Sequence, residues 1–325
     1  MLDTLHAYEE RFAMSYRIVF RAAALLMAAA VASTLHAATP AAHPAASAMA
    51  PVQAGTLKVE RHGSAGRPVI LIPGLAGGPW VWKDTIADLE KTHVVYAVTL
   101  AGFDGTPAPS ADGNWMDRAD DSLADFIRQN HIDKPVIVGH SLGGTLALRF
   151  AGRHPELTGA VVAVDGLPIF PGMERVTAEQ RAAIAASLKA KTESATPDEF
   201  KAQQLAYMQA IGTLDPATAA RVAPLNARSD QKAVARYMAE DAGADFRPEL
   251  KAATAPILEI TAYSDKDAQA GPMKITQDQK VAYYTALLAD APNARVIALA
   301  PSRHYVMLDQ PVAFGKALND FIGAH

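Results

Sequence analysis

The sequence predicts an α/β protein with a mostly parallel central sheet flanked by helices and a helical cap inserted late in the chain. Three observations predict it. Short runs of Val, Ile and Leu recur without polar alternation, the pattern of strands buried on both faces. Stretches of helical length separate these runs, which is the strand–helix alternation of a parallel sheet. Between about 171 and 251 the alternation stops, and only helical patterns occur.

Taken in order, the strand candidates are Thr56–Val59, Val69–Ile72, Val94–Val98, Val136–Val138, Ala160–Val164, Ile257–Thr261 and Arg295–Leu299. The helical candidates between and after them are Val81–Leu89, Asp117–Asn130, Leu142–Arg153, Ile275–Leu288 and Pro311–Ile322. The 171–251 insertion carries three more, Ala178–Lys191, Asp198–Ile211 and Gln231–Glu240. An insertion in that place is expected either to cover a pocket mouth as a lid or to add a second packing layer. Open sheets of this kind take their ligands at the carboxyl ends of the strands.

The chain ahead of this body reads differently. Residues 1–37 are expected to be an export signal, with the true start at Met14. Arg17 and Arg21 precede the apolar run Ala22–Ala32, and small residues allow a cut after Ala37. The run is far short of the roughly 20 residues that a membrane-spanning helix needs. Export would place the protein in the periplasm or outside the cell, with no stable membrane insertion after cleavage; an uncleaved anchor is the alternative. Residues 38–54 form an Ala/Pro-rich linker, and the folded domain is expected over 55–325.

Composition excludes several classes of function. The 325 residues include 30 Lys and Arg against 34 Asp and Glu, a net charge of −4 that offers no basic surface for nucleic acid. With no cysteine there is no disulfide framework, thiolate zinc site or cysteine nucleophile. Neither a His-Glu-x-x-His motif nor another clustered ligand set occurs, so no metal and no cofactor are expected.

The chemistry is carried by four segments. Val136-Ile-Val-Gly-His-Ser-Leu-Gly-Gly144 runs a buried strand into Gly-x-Ser-x-Gly and then into a helix. A serine on so sharp a turn leaves no room for side chains two residues to either side, which singles out Ser141 as a nucleophile. Pro73-Gly74 ends an earlier strand, where main-chain N–H groups are exposed at the sheet edge. Acyl transfer needs two such donors for its oxyanion, assigned to Leu75 and to Leu142 next to the nucleophile. For the base, only His154, His304 and His325 follow the serine. His154 sits at a helix end before a proline and His325 is the last residue, so His304, in the loop after the last strand, is selected. The acid that orients it is assigned to Asp265, in the loop after Ile257–Thr261. Asp267, two residues on, and Asp165, at the end of Ala160–Val164, are rivals.

In the order Ser141, Asp265, His304, with the Pro-Gly-Leu loop and Leu100-Ala-Gly-Phe-Asp-Gly-Thr-Pro107, the body from about 56 to 323 resembles the α/β-hydrolase superfamily. Its usual His-Gly oxyanion motif is Pro73-Gly74 here, and the glycine often found three residues before the acid is Ala262. The resemblance implies a serine hydrolase of the carboxylesterase type that acts through an acyl-enzyme on a small, apolar ester. Hydrolysis of an amide or peptide, or of a carbon–carbon bond, is the alternative within the superfamily, and a non-catalytic binding protein on the same scaffold is a further one. Trp80, Trp82, Tyr263, Tyr305 and Met307, with Met173, Tyr207, Met208, Tyr237 and Met238 in the cap, could line an apolar pocket or build ordinary core.

Overall fold

The computed structural model describes residues 50–110, 112–270 and 274–325, so the segment expected to be an export signal and most of the expected linker lie outside the described residues. Among the described residues, eight strands form one sheet: β1 (Val52–Ala54), β2 (Leu57–His62), β3 (Pro68–Ile72), β4 (Val94–Leu100), β5 (Val136–His140), β6 (Ala160–Val164), β7 (Ile257–Ala262) and β8 (Ala294–Leu299). Their order is β1-β2-β4-β3-β5-β6-β7-β8; β1 and β2 pair antiparallel at one edge, and β4 to β8 run parallel with β3. The linker was expected to end at residue 54 with nothing paired, yet Val52–Ala54 completes the edge of the sheet. Three residues are too few to show a strand period, and main-chain pairing with β2 holds them.

Helices cover both faces. Along each inner strand alternate residues point to opposite sides. Ile70, Ile72, Ile137, Val161 and Ala163 pack beneath α2 (Trp115–Gln129) and α3 (Leu142–Arg153). Val69, Leu71, Val136, Val138, Val162 and Val164 pack beneath α1 (Lys83–Leu89) and the terminal α11 (Pro311–Ala324). This double burial is why the strands read as continuous apolar runs rather than as alternating ones. The Asn114 side chain accepts from the Asp117 N–H to start α2, and Glu240 from the insertion accepts from the N–H groups of Trp115 and Met116 at the same helix end.

Between β6 and β7 the chain forms α4 (Ala178–Glu193), α5 (Pro197–Tyr207), a π-turn (Met208–Gly212), α6 (Pro216–Asn226) and α7 (Gln231–Gly243). Helix α6 carries Pro224, which masks it in the sequence. Its start is set by the Asp215 carboxylate, which accepts from the N–H groups of Ala217 and Thr218. Past β7 come α8 (Asp265–Ala270) and α9 (Gln277–Leu287), and past β8 a single turn, α10 (Val306–Asp309), leads into α11. No helix among the described residues is long and apolar enough to cross a membrane.

Strand order decides where a site can form. From β3 the chain steps to β4 on one side and then returns to β5 on the other. The loops leaving the carboxyl ends of β3 and β5 therefore diverge and leave a crevice between them. Pro73–Gly78 and Ser141 both lie there. An open cleft of about 600 Å³ lies instead at the amino ends of β3 and β4, lined by Arg67, Pro68, Val94, Lys134 and His325. It is at the opposite end of the strands from Ser141.

Candidate active site

Strand β5 ends at His140, and Ser141 follows with φ +52° and ψ −122°, a backbone conformation that L-residues avoid and that costs on the order of 1–3 kcal/mol. Surrounding contacts impose it: the Ser141 N–H donates to the Val164 carbonyl of β6, while helix α3 begins at the very next residue. The flanking glycines are required by close approach. A Cβ on Gly139 would lie 2.0 Å from the Gly143 carbonyl oxygen, and one on Gly143 would lie 2.3 Å from that of Ile72. Gly139→Ala is accordingly expected to cost about 2–3 kcal/mol of stability, read as a lower midpoint in urea denaturation. The loop after β3 presses on the same turn, since a Cβ on Gly74 would meet that of Ser141 at 3.0 Å. Leu75 thus stands beside the elbow, and Leu142 opens α3, where first-turn N–H groups have no acceptor within the helix.

His304 is brought to this turn by a loop that crosses the end of β7. Strand β8 lies three positions from β5, about 14 Å at ordinary strand spacing, so the loop must travel back over the sheet edge. It is tied down at each step. The Ser302 N–H donates to the Tyr263 carbonyl at 2.7 Å. The Arg303 guanidinium meets Asp267 at 2.7 and 2.8 Å and donates to the carbonyls of Gln209 and Thr213 in the insertion. The N–H groups of His304 and Tyr305 donate to the carbonyls of Ile211 and Gly212. On this side, then, the insertion is bonded directly to the main chain that carries the imidazole.

The elbow itself supplies the last tie. His140 donates from Nε2 to the His304 carbonyl at 3.0 Å, and the two rings lie 4.7 Å apart between centroids. Burial, reinforced by the neighbouring His304, pushes the His140 imidazole well below its ordinary pKa, so it stays neutral with Nδ1 unprotonated and facing Gly74.

The carboxylate facing the imidazole is that of Asp165. His304 Nδ1 donates to Asp165 Oδ2 at 2.7 Å, and the Asp165 side chain is only 9% exposed. Asp165 follows β6 directly, with φ +48°, and its own N–H donates to Ile260 of β7. Its other oxygen, Oδ1, accepts from the Tyr284 hydroxyl at 2.8 Å and the Thr261 hydroxyl at 3.1 Å. Burial alone would raise its pKa. The Lys280 ammonium, the hydrogen bond and charge of His304, and the Tyr284 hydroxyl outweigh burial and hold it far below the usual carboxylate range.

The expectation that Asp265 orients His304 is therefore corrected. Asp265 is exposed at the start of α8 and accepts from the Tyr263 hydroxyl at 2.9 Å. Asp267 belongs to Arg303. The crossing loop explains the outcome: it occupies the space over β7 through its bond to Tyr263, so α8 turns outward and the neighbouring strand end supplies the acid. Asp165 carried a sequence signature that pointed this way, an Asp-Gly pair closing an uninterrupted apolar strand. Asp265, by contrast, sits in Asp-Lys-Asp, the composition of an exposed turn. The other two histidines lie elsewhere: His154 ends α3 near Asp120, and His325 packs edge-on against Phe321 in α11.

A second carboxyl lies beneath the first. Glu259 on β7 is fully buried, and neither of its oxygens has a hydrogen-bond partner among the described residues. Burial, with the Asp165 charge added, raises its pKa well above the ordinary carboxyl value, while Lys280 and the main chain at Gly166 and Asp165 pull the other way. A carboxyl with a raised folded-state pKa binds its proton more tightly folded than unfolded, so it costs stability as pH climbs past the ordinary value of about 4.3. Glu259→Gln, which cannot ionise, is expected to gain in melting temperature over wild type as pH is raised from 5 to 8, as calorimetry would show.

Of the aromatic and methionine side chains with two readings, several are core. Trp82 is fully buried and stacks on Phe314, and Tyr237 packs edge-on against Phe103 and Trp115. Met208 is fully buried as well. Two lie close to the site: Tyr207 meets the His304 ring edge-on at 6.3 Å, and Trp80 stacks at the same separation on Tyr305, the next residue.

Against known proteins, residues 69–317 match the model of the alpha/beta hydrolase family. Esterase Rv0045c of Mycobacterium tuberculosis is 34% identical over 138 residues, 41% of this chain and 45% of that protein. Several other curated relatives are likewise matched over less than half of their length. The 2-(acetamidomethylene)succinate hydrolase of Mesorhizobium japonicum is matched more widely, at 26% identity over 83% of this chain and 92% of that one. Among solved structures, a thermophilic esterase from Thermogutta terrifontis superposes with a TM-score of 0.67 at 17% identity, covering 85% of this chain and 99% of the other.

Proposed function

The chain belongs to the alpha/beta hydrolase family, and from that premise we propose that it is a serine hydrolase of small, apolar carboxylic esters. The observation that carries this reading is the 2.7 Å bond from His304 Nδ1 to the buried Asp165, beside an elbow that holds Ser141 in strained backbone. An ionised acceptor on Nδ1 fixes the proton there, so Nε2 keeps the lone pair that a general base needs.

In the reaction, His304 Nε2 takes the Ser141 hydroxyl proton as Oγ attacks the substrate carbonyl carbon. The carbonyl oxygen becomes an oxyanion, held by the N–H groups of Leu75 and Leu142. The carbon–oxygen bond to the leaving alcohol then breaks, and the alcohol takes its proton from Nε2. Water attacks the acyl-enzyme by the same route, releasing the carboxylic acid and restoring Ser141. Asp165 stays ionised and stabilises the imidazolium of each step. Trp80 and Tyr207 give the surroundings an apolar character, which supports an apolar acyl group, and the esterase relative supports the ester bond.

An amide substrate is the second reading, favoured by the relative named for 2-(acetamidomethylene)succinate that is matched along nearly its whole length. Purified protein tested on a panel of p-nitrophenyl esters beside aminoacyl-p-nitroanilides separates the two. Labelling by a fluorophosphonate, which needs an activated serine, tests both; a chain left unlabelled would refute the serine mechanism. The 14–37 segment supports export to the periplasm or the medium as part of the same proposal.

A further inference from the structure

Resting on the reading of Ser141, His304 and Asp165 above, we propose that Lys280 and Tyr284, one turn apart on α9, are positioning residues that set the strength of the Asp165–His304 pair and with it the pH at which the enzyme works. Four contacts support it. The Tyr284 hydroxyl donates to Asp165 Oδ1 at 2.8 Å. The Lys280 ammonium lies 3.8 Å from that same oxygen, with 17% of its side chain exposed. It also donates to the Ala262 carbonyl at 2.6 Å and lies 5.3 Å from the centre of the Tyr284 ring. Residues four apart share one helix face, which is how a single helix delivers a cation and a phenol to one oxygen.

The arrangement divides the carboxylate between two tasks. Oδ2 holds the imidazole, while Oδ1 is occupied by Tyr284, Thr261 and the approach of Lys280. A buried carboxylate stabilises the charged form of a neighbouring imidazole, and a charged imidazole has no lone pair with which to act as a base. The ammonium and the phenol draw negative charge toward Oδ1, which weakens that stabilisation and keeps His304 available as a base at lower pH. Among the described residues, the titratable and charged groups around the pair are Lys280 and Tyr284 from α9, Glu259 from β7 and His140 from β5, with Tyr207 from α5 and Tyr305 against the His304 ring. Burial keeps His140 neutral and opposes ionisation of Glu259, which leaves Lys280, among the described residues, as the fixed charge that acts on the pair.

This role differs from that of a structural tie, because it predicts a displaced pH profile and not only a loss of rate. Lys280→Met is expected to move the acid limb of kcat/KM upward by about one pH unit, the size of effect a nearby unit charge has in a partly buried site. Lys280→Arg, which keeps the charge, is expected to leave that limb at the wild-type pH. Tyr284→Phe, which keeps the shape and so the fold, should move the limb in the same upward direction. It should also lower kcat roughly tenfold with KM within about twofold, because supporting groups act on the chemistry and not on binding. The pH profile of fluorophosphonate labelling gives the same limb without a substrate.

An acid limb for Lys280→Met that coincides with wild type overturns the proposal, as does a Lys280→Arg limb displaced as far as that of Lys280→Met. The reading beneath it is checked separately by labelling of Ser141→Ala. If that variant still labels, the serine assignment fails; if it does not label and the limbs also stay in place, only the role of α9 fails.

Discussion

Ser141→Ala is expected to lower the rate of ester cleavage by roughly 10⁶-fold, the loss found when one member of a nucleophile–base unit is removed. The size follows from what remains. Without Oγ no acyl-enzyme can form, so water must attack the carbonyl directly, helped only by the oxyanion donors and by substrate positioning. The two N–H donors belong to the main chain and survive the substitution, and a residual rate above the uncatalysed one is expected from them. Loss of the hydroxyl should leave the fold intact, because the strain at this residue lies in the backbone and the Ser141 N–H bond to Val164 is retained. Steady-state kinetics on a p-nitrophenyl ester checks the prediction, and a purified, folded variant with wild-type turnover would remove Ser141 from the mechanism.

Asp165→Asn should lower turnover by about 10⁴-fold, whereas Asp265→Asn should leave it within about twofold of wild type. The amide keeps the shape of the carboxylate but brings an N–H₂ donor, which favours a ring with Nδ1 unprotonated and the proton on Nε2, where the base needs its lone pair. It also removes the negative charge that stabilises the imidazolium. Asp265 is exposed and, among the described residues, reaches the Tyr263 hydroxyl and no reacting group. Measured side by side, the two variants decide between the neighbouring strand ends; equal losses at both positions would contradict the geometry. The pKa of Asp165 is held far below the carboxylate range. Sign matters here: a depressed folded-state pKa stabilises the ionised pair above the unfolded-state value of about 3.9 and loses that contribution only as pH falls through the lower folded value. Activity lost on mild acidification is therefore not expected to come from protonation of Asp165.

The parts legible in the sequence were those set by local rules. Uninterrupted apolar runs marked β3, β5, β6 and β7, because strands covered on both faces have no polar side to show. The glycines around Ser141 were legible because the turn excludes a Cβ within two residues of it. His304 could be chosen by elimination, since few histidines follow the serine. The elements missed were those whose cause lies elsewhere in the fold. Strand β1 is held by its partner and not by its own pattern, and α6 has a proline within it and depends on its Asp215 cap and on packing.

The acid was a different kind of problem. Two strand ends lie side by side, as the pairing of Val164 with Ile260 shows, and an aspartate follows each. The loop after β7 favoured Asp265, although the Asp-Gly pair that closes β6 pointed to Asp165. What separates them is the path of the loop from β8, which bonds to Tyr263 on its way over β7 and takes up the room that Asp265 would need. The supporting groups on α9 were invisible for the same reason, because Lys280 and Tyr284 meet Asp165 across 115 residues or more of intervening chain.

Sequence by itself determined the strand–helix order and the elbow, and it singled out Ser141 and His304 as the candidates for nucleophile and base. Each of these depends on steric rules that act within a few residues, or on a residue type that occurs rarely. Only the tertiary structure decided which carboxylate faces the imidazole and which side chains temper it. Those choices rest on distances of 2.7 to 3.8 Å between segments far apart in the chain, and such distances are set by strand order and loop path, which no local pattern encodes.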